Sequence, residues 1–380
     1  MMVTHALQGL LVVSLEQAVA APLATSRLVD GGARVIKLER IEGDSARHYD
    51  DHAAGHSSYF VWLNRGKESC RVDLASANER SLVQRMISKA DVFIQNLGPG
   101  AAARIGFGSA HLREVHPRLI TCDISGYSAD TPHAPRKAYD LLVQAEVGLA
   151  AITGARDSGP NRIGISICDI ATGLTAHAQI LEALIRRAIT GDGCSIAVSL
   201  FDVAAELMSV PFIAAANGGP MIRQAGLSHP SIAPYGAYST KTGSLLIAVQ
   251  NDREWTSLSI GVLRLAHLAT DSRFACNSAR VRNRVAMDAT INTVFSGHSN
   301  AELIERLNNS AIAYGVVSSV EDLLKHSALS KSWCSAQGTA IETVAGASVI
   351  DGLRATFGCV PDLGEHDRSL REEFGPACKP

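Results

Sequence analysis

Leu10-Leu11-Val12-Val13-Ser14-Leu15 leads into Glu16-Gln17-Ala18, then into a helical run opened by Pro22 and ending near Asp30, then through Gly31-Gly32 into Val35-Ile36-Lys37-Leu38, which closes on Glu39-Arg40. An unbroken apolar run of this kind marks a strand covered on both faces of a parallel sheet. Proline suits the first helical turn, where its missing N–H costs nothing. The order strand, turn, helix, strand therefore reads as one βαβ unit with a right-handed crossover.

Residues 41–68 are polar and irregular, with Ser57-Ser58-Tyr59-Phe60-Val61-Trp62-Leu63-Asn64 as their apolar island. Leu82, Val83, Met86 and Ile87 mark an amphipathic helix, Val92-Phe93-Ile94-Gln95 a third strand, and Asn96-Leu97-Gly98-Pro99-Gly100 a loop at its carboxyl end. Leu119-Ile120-Thr121-Cys122-Asp123-Ile124 is a fourth strand. This alternation predicts a doubly wound α/β sheet that gathers ligands at the carboxyl ends of its strands. The run Gly164-Ile165-Ser166-Ile167-Cys168 then halts at Asp169, and apolar residues recur at helical spacing from Ile170 to Ile189. Ser195–Leu200 reads as another strand and Asp202–Ala216 as another helix, after which Asn217-Gly218-Gly219-Pro220 changes the texture. Two short strands around Lys241-Thr242-Gly243 follow, with helices near 252–264, 284–296 and 300–308. The expected division is a large domain over 1–205, a smaller α+β domain over 206–329, and a segment 330–380 that packs back on the large domain.

A chain of 380 residues exceeds a usual single domain, and with 46% hydrophobic residues it can bury a substantial core. The formal charge of −2 is too near neutral to point to nucleic acid or an anionic membrane. Eight cysteines, Cys70, Cys122, Cys168, Cys194, Cys276, Cys334, Cys359 and Cys378, include no close pair, which argues against CxxC redox and zinc patterns. They read as reduced thiols, mostly buried. The opening Met-Met-Val-Thr-His-Ala-Leu lacks a basic segment followed by an apolar one, and no apolar span reaches membrane length. A soluble cytoplasmic protein without a metal is the expectation.

Familiar catalytic signatures are absent: there is no GxxxxGK[ST], GxGxxG, HExxH or GxSxG. The first βα turn carries Gln17-Ala18-Val19 where a dinucleotide binder would carry glycines. What remains is a set of polar groups at strand ends: Gln17, Glu39, Arg40, Asn96, Arg104, Lys137, Asp140 and Asp169. Cations there can hold phosphates or form a solvated face. A carboxylate at a helix start can be a cap, or a nucleophile kept ionised by free N–H groups and the helix dipole.

The motifs Gln17-Ala18 with Pro22, Ala33–Arg40, Asn64-Arg65-Gly66-Lys67-Glu68-Ser69, Ala90-Asp91-Val92, Asn96–Gly100, Ala138-Tyr139-Asp140-Leu141-Leu142-Val143-Gln144-Ala145 and Asp169 occur in order. Together they resemble the family III CoA-transferases, the CaiB/BaiF-like enzymes that include formyl-CoA:oxalate CoA-transferase, from about Leu10 to Gly375. The resemblance implies a Rossmann-like large domain joined to a small domain, two chains interlocked as a homodimer, and coenzyme A or acyl-CoA as substrate. It makes Asp169 the nucleophile, acting through mixed anhydrides and an aspartyl-CoA thioester, with Gln17 and Ala18 beside the thioester and Asp140 in a positioning or electrostatic role. Arg40, Val72, Asp73, Leu74, Ala75, Asn96, Leu97, Gly98, Arg104, Lys137 and Tyr139 would line the CoA site. Leu97 departs from the family, many members of which carry an aromatic there, and this implies a looser stacking contact.

The same fold serves 2-methylacyl-CoA racemases, which place a histidine where this chain has Tyr139. A tyrosine of ordinary pKa is a poor α-proton base, so transfer is preferred. A CoA-binding protein without catalysis is the third reading. Arg223, His229 and Tyr235 are groups suited to a second, non-reacting carboxylate; the resemblance further points to C4 and C5 dicarboxylates of the itaconate, mesaconate, succinate or malate type, exchanged between molecules or between two carboxyls of one.

Overall fold

A computed structural model of the chain describes residues 5–376, and Cys378 lies outside them. The chain forms two compact units. The first comprises the chain up to Leu149, Ile163–Val210 and the segment from Ser330 onward; the second comprises Ala150–Arg162 and Pro211–Leu329.

The first unit is built on six strands: β1 (Leu11–Leu15), β2 (Arg34–Glu39), β3 (Glu68–Arg71), β4 (Val92–Gln95), β5 (Ile120–Ser125) and β6 (Ser195–Ser199). They are paired in the order β3-β2-β1-β4-β5-β6, and every pairing is parallel. The continuous apolar runs arise because both faces are covered. Val12, Val35, Val92 and Ile94 point to a core shared with helices α1 (Ala20–Asp30) and, further along the chain, Ile167–Thr190. Their neighbours Val13, Ile36 and Phe93 point to an opposite core. Helix α2 (Ser58–Asn64) occupies the apolar island that the sequence left irregular, with Ser57 as its cap accepting from Phe60 N at 3.4 Å. Helix α3 (Ala77–Lys89) covers the second core with Leu82, Val83, Met86 and Ile87. Helices α4 (Asp140–Glu146) and α5 (Ile167–Thr190) then bring in the residues of the candidate site.

Strand β3 is absent from the sequence reading, so the strands counted there as third and fourth are β4 and β5. As the edge of the sheet it tolerates Glu68 and Arg71, which break the apolar signal; Glu68 accepts from Arg34 at 2.9 Å. The single helix expected over Asp202–Ala216 is two, Leu200–Leu207 and Ser209–Ala216.

In the second unit, β7 (Tyr235–Thr240), β8 (Gly243–Ala248) and β9 (Ala313–Val316) form an antiparallel sheet around a core containing Trp255, Phe274, Met287, Ile291, Phe295 and Leu303. The segment Ala150–Arg162 belongs to this unit because Gly226 N donates to Gly154 O and the Gln224 amide to Thr153 O, both at 2.9 Å. After Ser330 the chain rejoins the first unit as a hairpin of β10 (Lys331–Ala336) and β11 (Thr339–Val344). It continues to helix α6 (Asp367–Phe374), whose Arg371 bonds Glu79 of α3 at 2.7 Å. Among the described residues no helix is long and apolar enough to cross a membrane. The seven described cysteines are all free, and four of them, Cys70, Cys122, Cys168 and Cys334, are buried.

Candidate active site

The strand order reverses between β1 and β4, and this is where an open α/β sheet leaves a crevice at its carboxyl end. Asn96, just past β4, bridges the crevice. Its side chain accepts from Gln17 N at 2.9 Å and donates to Gln17 O at 2.8 Å, holding the turn after β1 in place. The next residue, Ala18, has φ +61°, a left-handed conformation costly to a residue with a Cβ. Asp44 offsets that cost by accepting from Ala18 N at 3.2 Å.

Beneath this turn lies a buried charge network. Lys37 Nζ donates to Asp44 at 2.8 Å and sits 3.6 Å from Glu16. Lys67 Nζ donates to Glu16 at 2.6 Å, to Pro22 O at 3.0 Å and to Asn64 at 3.2 Å. Two cations and two carboxylates compensate one another, as buried charge requires. Burial lowers the Lys37 pKa, but Asp44, Glu16 and Glu39 outweigh it and the net shift is upward. For Lys67 burial prevails over Glu16 and takes the amine down to about 8. Glu16, Lys37, Asp44 and Lys67 were not among the expected site residues. The available signal was Lys37, a lysine in the middle of an apolar strand.

Asp169 is the third residue of α5 and caps nothing; Ser166 stands at the cap position without a side-chain bond. The cap is supplied from elsewhere. Asp140, at the start of α4, accepts from Cys168 N at 2.8 Å and from Asp169 N at 3.2 Å, and its second oxygen accepts from the Gln144 amide at 2.7 Å. The expectation that free N–H groups keep Asp169 ionised is therefore overturned: those donors serve Asp140. Burial, reinforced by the Asp140 carboxylate, pushes the Asp169 pKa up to about 7. Burial also lifts the neighbouring Cys168 thiol to about 12, so that sulfur is an inert core atom. Gly173, one turn on, explains how α5 meets α1: a Cβ there would lie 2.5 Å from Ala20 O and 2.9 Å from Leu23 Cβ. The glycine lets the two helices touch, and so the turn Gln17–Val19 stands beside Asp169.

These groups share a cleft of about 480 Å³, within the range of small-ligand sites. Of the expected residues, Asp169, Gln17, Ala18, Arg40, Asn96, Leu97, Gly98, Lys137 and Tyr139 line it. An adjoining slot of about 240 Å³ is walled by Leu38, Val72, Leu74 and Leu97, and shares Gln17, Arg40 and Gly98 with the cleft. Asp73 and Ala75 line neither pocket; Asp73 accepts from Ala75 N at 3.0 Å in a turn. Arg104 lies outside both as well, donating to Pro99 O at 3.2 Å and bracing the loop after β4. Asp140 is buried behind the cleft. Arg136 enters the cleft unannounced by the sequence; it pairs with Glu146 and lies 5.0 Å from the Tyr127 ring centroid.

Arg223, His229 and Tyr235 belong to the second unit. His229 stacks on Tyr235 at 5.4 Å, and its Nδ1 accepts from Ser231 N at 3.1 Å. Burial and Arg284 hold its pKa below the usual histidine value, leaving a neutral ring with Nε2 as its donor.

A parallel sheet in this strand order, with a half-buried carboxylate and exposed cations at its reversal point, defines a doubly wound α/β enzyme. The chain belongs to CoA-transferase family III, whose family model matches residues 7–367. It is a CoA-transferase, with an acyl-CoA as substrate. It is 33% identical to an acyl-CoA transferase of Fusarium pseudograminearum over 97% of this chain and 85% of that one. It is 32% identical to a succinate–glutarate CoA-transferase of Agrobacterium fabrum over 97% and 95% of the two chains. A CaiB/BaiF family protein from Brucella suis superposes with TM-score 0.81 at 33% identity, covering 97% of this chain and 99% of that one.

Proposed function

We propose that this CoA-transferase exchanges CoA between small dicarboxylic acids of four or five carbons, with Asp169 as nucleophile. The observation that carries the reading is the placement of Asp169: a half-buried carboxylate in a cation-lined cleft, with a second carboxylate fixed behind it. A carboxylate whose pKa stands near 7 is more basic, hence more nucleophilic, than a solvated one. The Asp169 carboxylate attacks the thioester carbonyl, breaking the C–S bond and giving a mixed anhydride and CoA thiolate. The thiolate attacks the Asp169 acyl carbon, expelling the donor as its carboxylate and leaving an aspartyl-CoA thioester. The acceptor carboxylate attacks that thioester, and the released thiolate then takes the acceptor's acyl carbon, freeing Asp169. Each half of the exchange is thereby split into two easier substitutions.

Arg40 and Lys137 suit phosphate groups, and the apolar slot between Leu38, Val72, Leu74 and Leu97 suits a flat heteroaromatic ring. The backbone of Gln17 and Ala18 borders the reacting carbonyl in this reading. Dicarboxylate preference rests on the succinate–glutarate relative; Arg223, His229 and Tyr235 remain proposed carboxylate-binding groups of the second unit. The racemase alternative needs Asp140 as a free proton carrier, yet both of its oxygens are engaged by N–H donors. We also propose a homodimer, because the helix Ser209–Ala216 is apolar with no buried residue. Incubation with succinyl-CoA and hydroxylamine, followed by peptide mass spectrometry, should find a hydroxamate at Asp169. Turnover that survives Asp169→Ala would refute the reading.

A further inference from the structure

The motif Asp140-Leu141-Leu142-Val143-Gln144-Ala145 contains one polar residue that the proposed chemistry leaves without a task. Gln144 is wholly buried on α4. Its Nε2 donates to Asp140 Oδ2 at 2.7 Å and approaches Ile165 O at 3.5 Å, while its Oε1 accepts from Ile163 N at 3.0 Å. A carboxylate and a carbonyl on one side and a backbone N–H on the other fix which way the amide points. Asp140 completes the arrangement by accepting from the first N–H groups of α5. Three pieces of chain meet at this amide: the start of α4, the run-in Ile163–Ile165, and, through Asp140, the first turn of α5.

We propose that Gln144 is a positioning residue for CoA transfer: its amide locks the Asp140 carboxylate and the approach to α5 into one orientation, and so fixes the turn that carries Asp169. The proposal rests on Asp169 being the nucleophile. Glutamine is suited to the place because a buried carboxylate such as Asp140 needs a donor at its second oxygen, and the Ile163 N–H needs an acceptor. Leucine would fill the volume and satisfy neither. Glutamate would put two carboxylates 2.7 Å apart, a pair that must share a proton. In its protonated form that new side chain could still donate to Asp140 as the amide does, and in its ionised form it would repel it.

The charged and titratable groups around Asp169 are Asp140 from α4, and Tyr49, Arg40, Arg136, Lys137 and Tyr139 around the cleft. Substitution at position 144 removes none of these groups and acts on them through Asp140, the one that Gln144 touches. The test is the pH dependence of kcat and KM for the exchange of CoA between succinyl-CoA and glutarate, in wild type, Gln144→Leu, Gln144→Glu and Asp169→Ala. Gln144→Leu should lose roughly 10- to 100-fold in kcat with KM for succinyl-CoA changed less than about threefold, since alignment and not binding is disturbed. Gln144→Glu should retain more activity at low pH and acquire an alkaline decline that wild type lacks. A pH profile of Gln144→Glu that superimposes on wild type overturns the proposal, even where Gln144→Leu does not fold. A folded Gln144→Leu with kcat within about twofold of wild type overturns it as well. Full turnover by Asp169→Ala would instead overturn the nucleophile reading, whatever the Gln144 variants do.

Discussion

At the residue scale, two carboxylates at one helix start have been given different tasks by their donors. Asp140 holds the N–H groups, and Asp169 is left with burial and a like charge nearby. The acid limb of kcat/KM should therefore fall near pH 7, the point at which free Asp169 ionises. Asp140→Asn keeps an oxygen for the helix start but removes the like charge, and should move that limb downward, while burial keeps it above the usual carboxylate value. The same shift bears on stability. Folding raises the Asp169 pKa, so the native state holds a proton that the unfolded chain releases, and stability falls as pH rises from about 4 to about 7. Asp169→Asn should stabilise the fold by on the order of 2 kcal/mol at pH 8, with the gain fading toward pH 4; thermal unfolding at the two pH values measures it. The position of Asp169 was legible in the sequence as the stop of an apolar run, and the family motifs point to Asp140. The protonation of Asp169 was not legible, because the competing acceptor comes from 29 residues earlier in the chain and only folding delivers it to the same N–H groups.

At the element scale, the site depends on the contact of α1 with α5 and on the charges beneath the first turn. Gly173→Ala would drive a methyl into Ala20 O, an obstacle that cannot rotate away. It should cost about 1–3 kcal/mol in urea unfolding and lower kcat more than a remote change of equal cost. Lys67→Met leaves Glu16 buried with Lys37 at 3.6 Å as its remaining cation, and should cost about 3–5 kcal/mol. Adding Glu16→Gln should return part of that loss, which a double-mutant cycle would read. Periodicity exposed the elements with two covered faces, β1, β2, β4 and β5, and failed for β3. Between Glu68 and Arg71 only Ser69 and Cys70 of β3 are buried, too short an apolar signal to read, whereas the other edge strand, β6, shows itself through Ile196, Ala197 and Val198. The helix α2 was hidden for a different reason: seven residues give barely two turns, too few to separate a helical period from a mere apolar cluster.

At the scale of the whole molecule, the alternation of strands and helices was enough to expect a doubly wound sheet, but not its strand order, which depends on pairings between distant segments. The unpartnered apolar surface raises the question of assembly. Val210, Phe212 and Ile213 are 69%, 70% and 59% exposed on one short helix, and Trp333 on β10 is 58% exposed. Sedimentation velocity should find a dimer, and Phe212→Asp with Val210→Asp should shift it toward monomer or insoluble chain. The three-part composition of the first unit has a further consequence. Leu370 and Phe374 of α6 complete the core that Val13, Ile36 and Met86 begin, yet they are separated from those residues by the whole second unit. A ribosome makes the chain from its amino end, so the part of this core that Leu370 and Phe374 fill, beside α3, stays open while the entire second unit and the β10–β11 hairpin are still being added. That apolar gap is thus exposed to solvent for most of the chain's synthesis and closes only when α6 emerges.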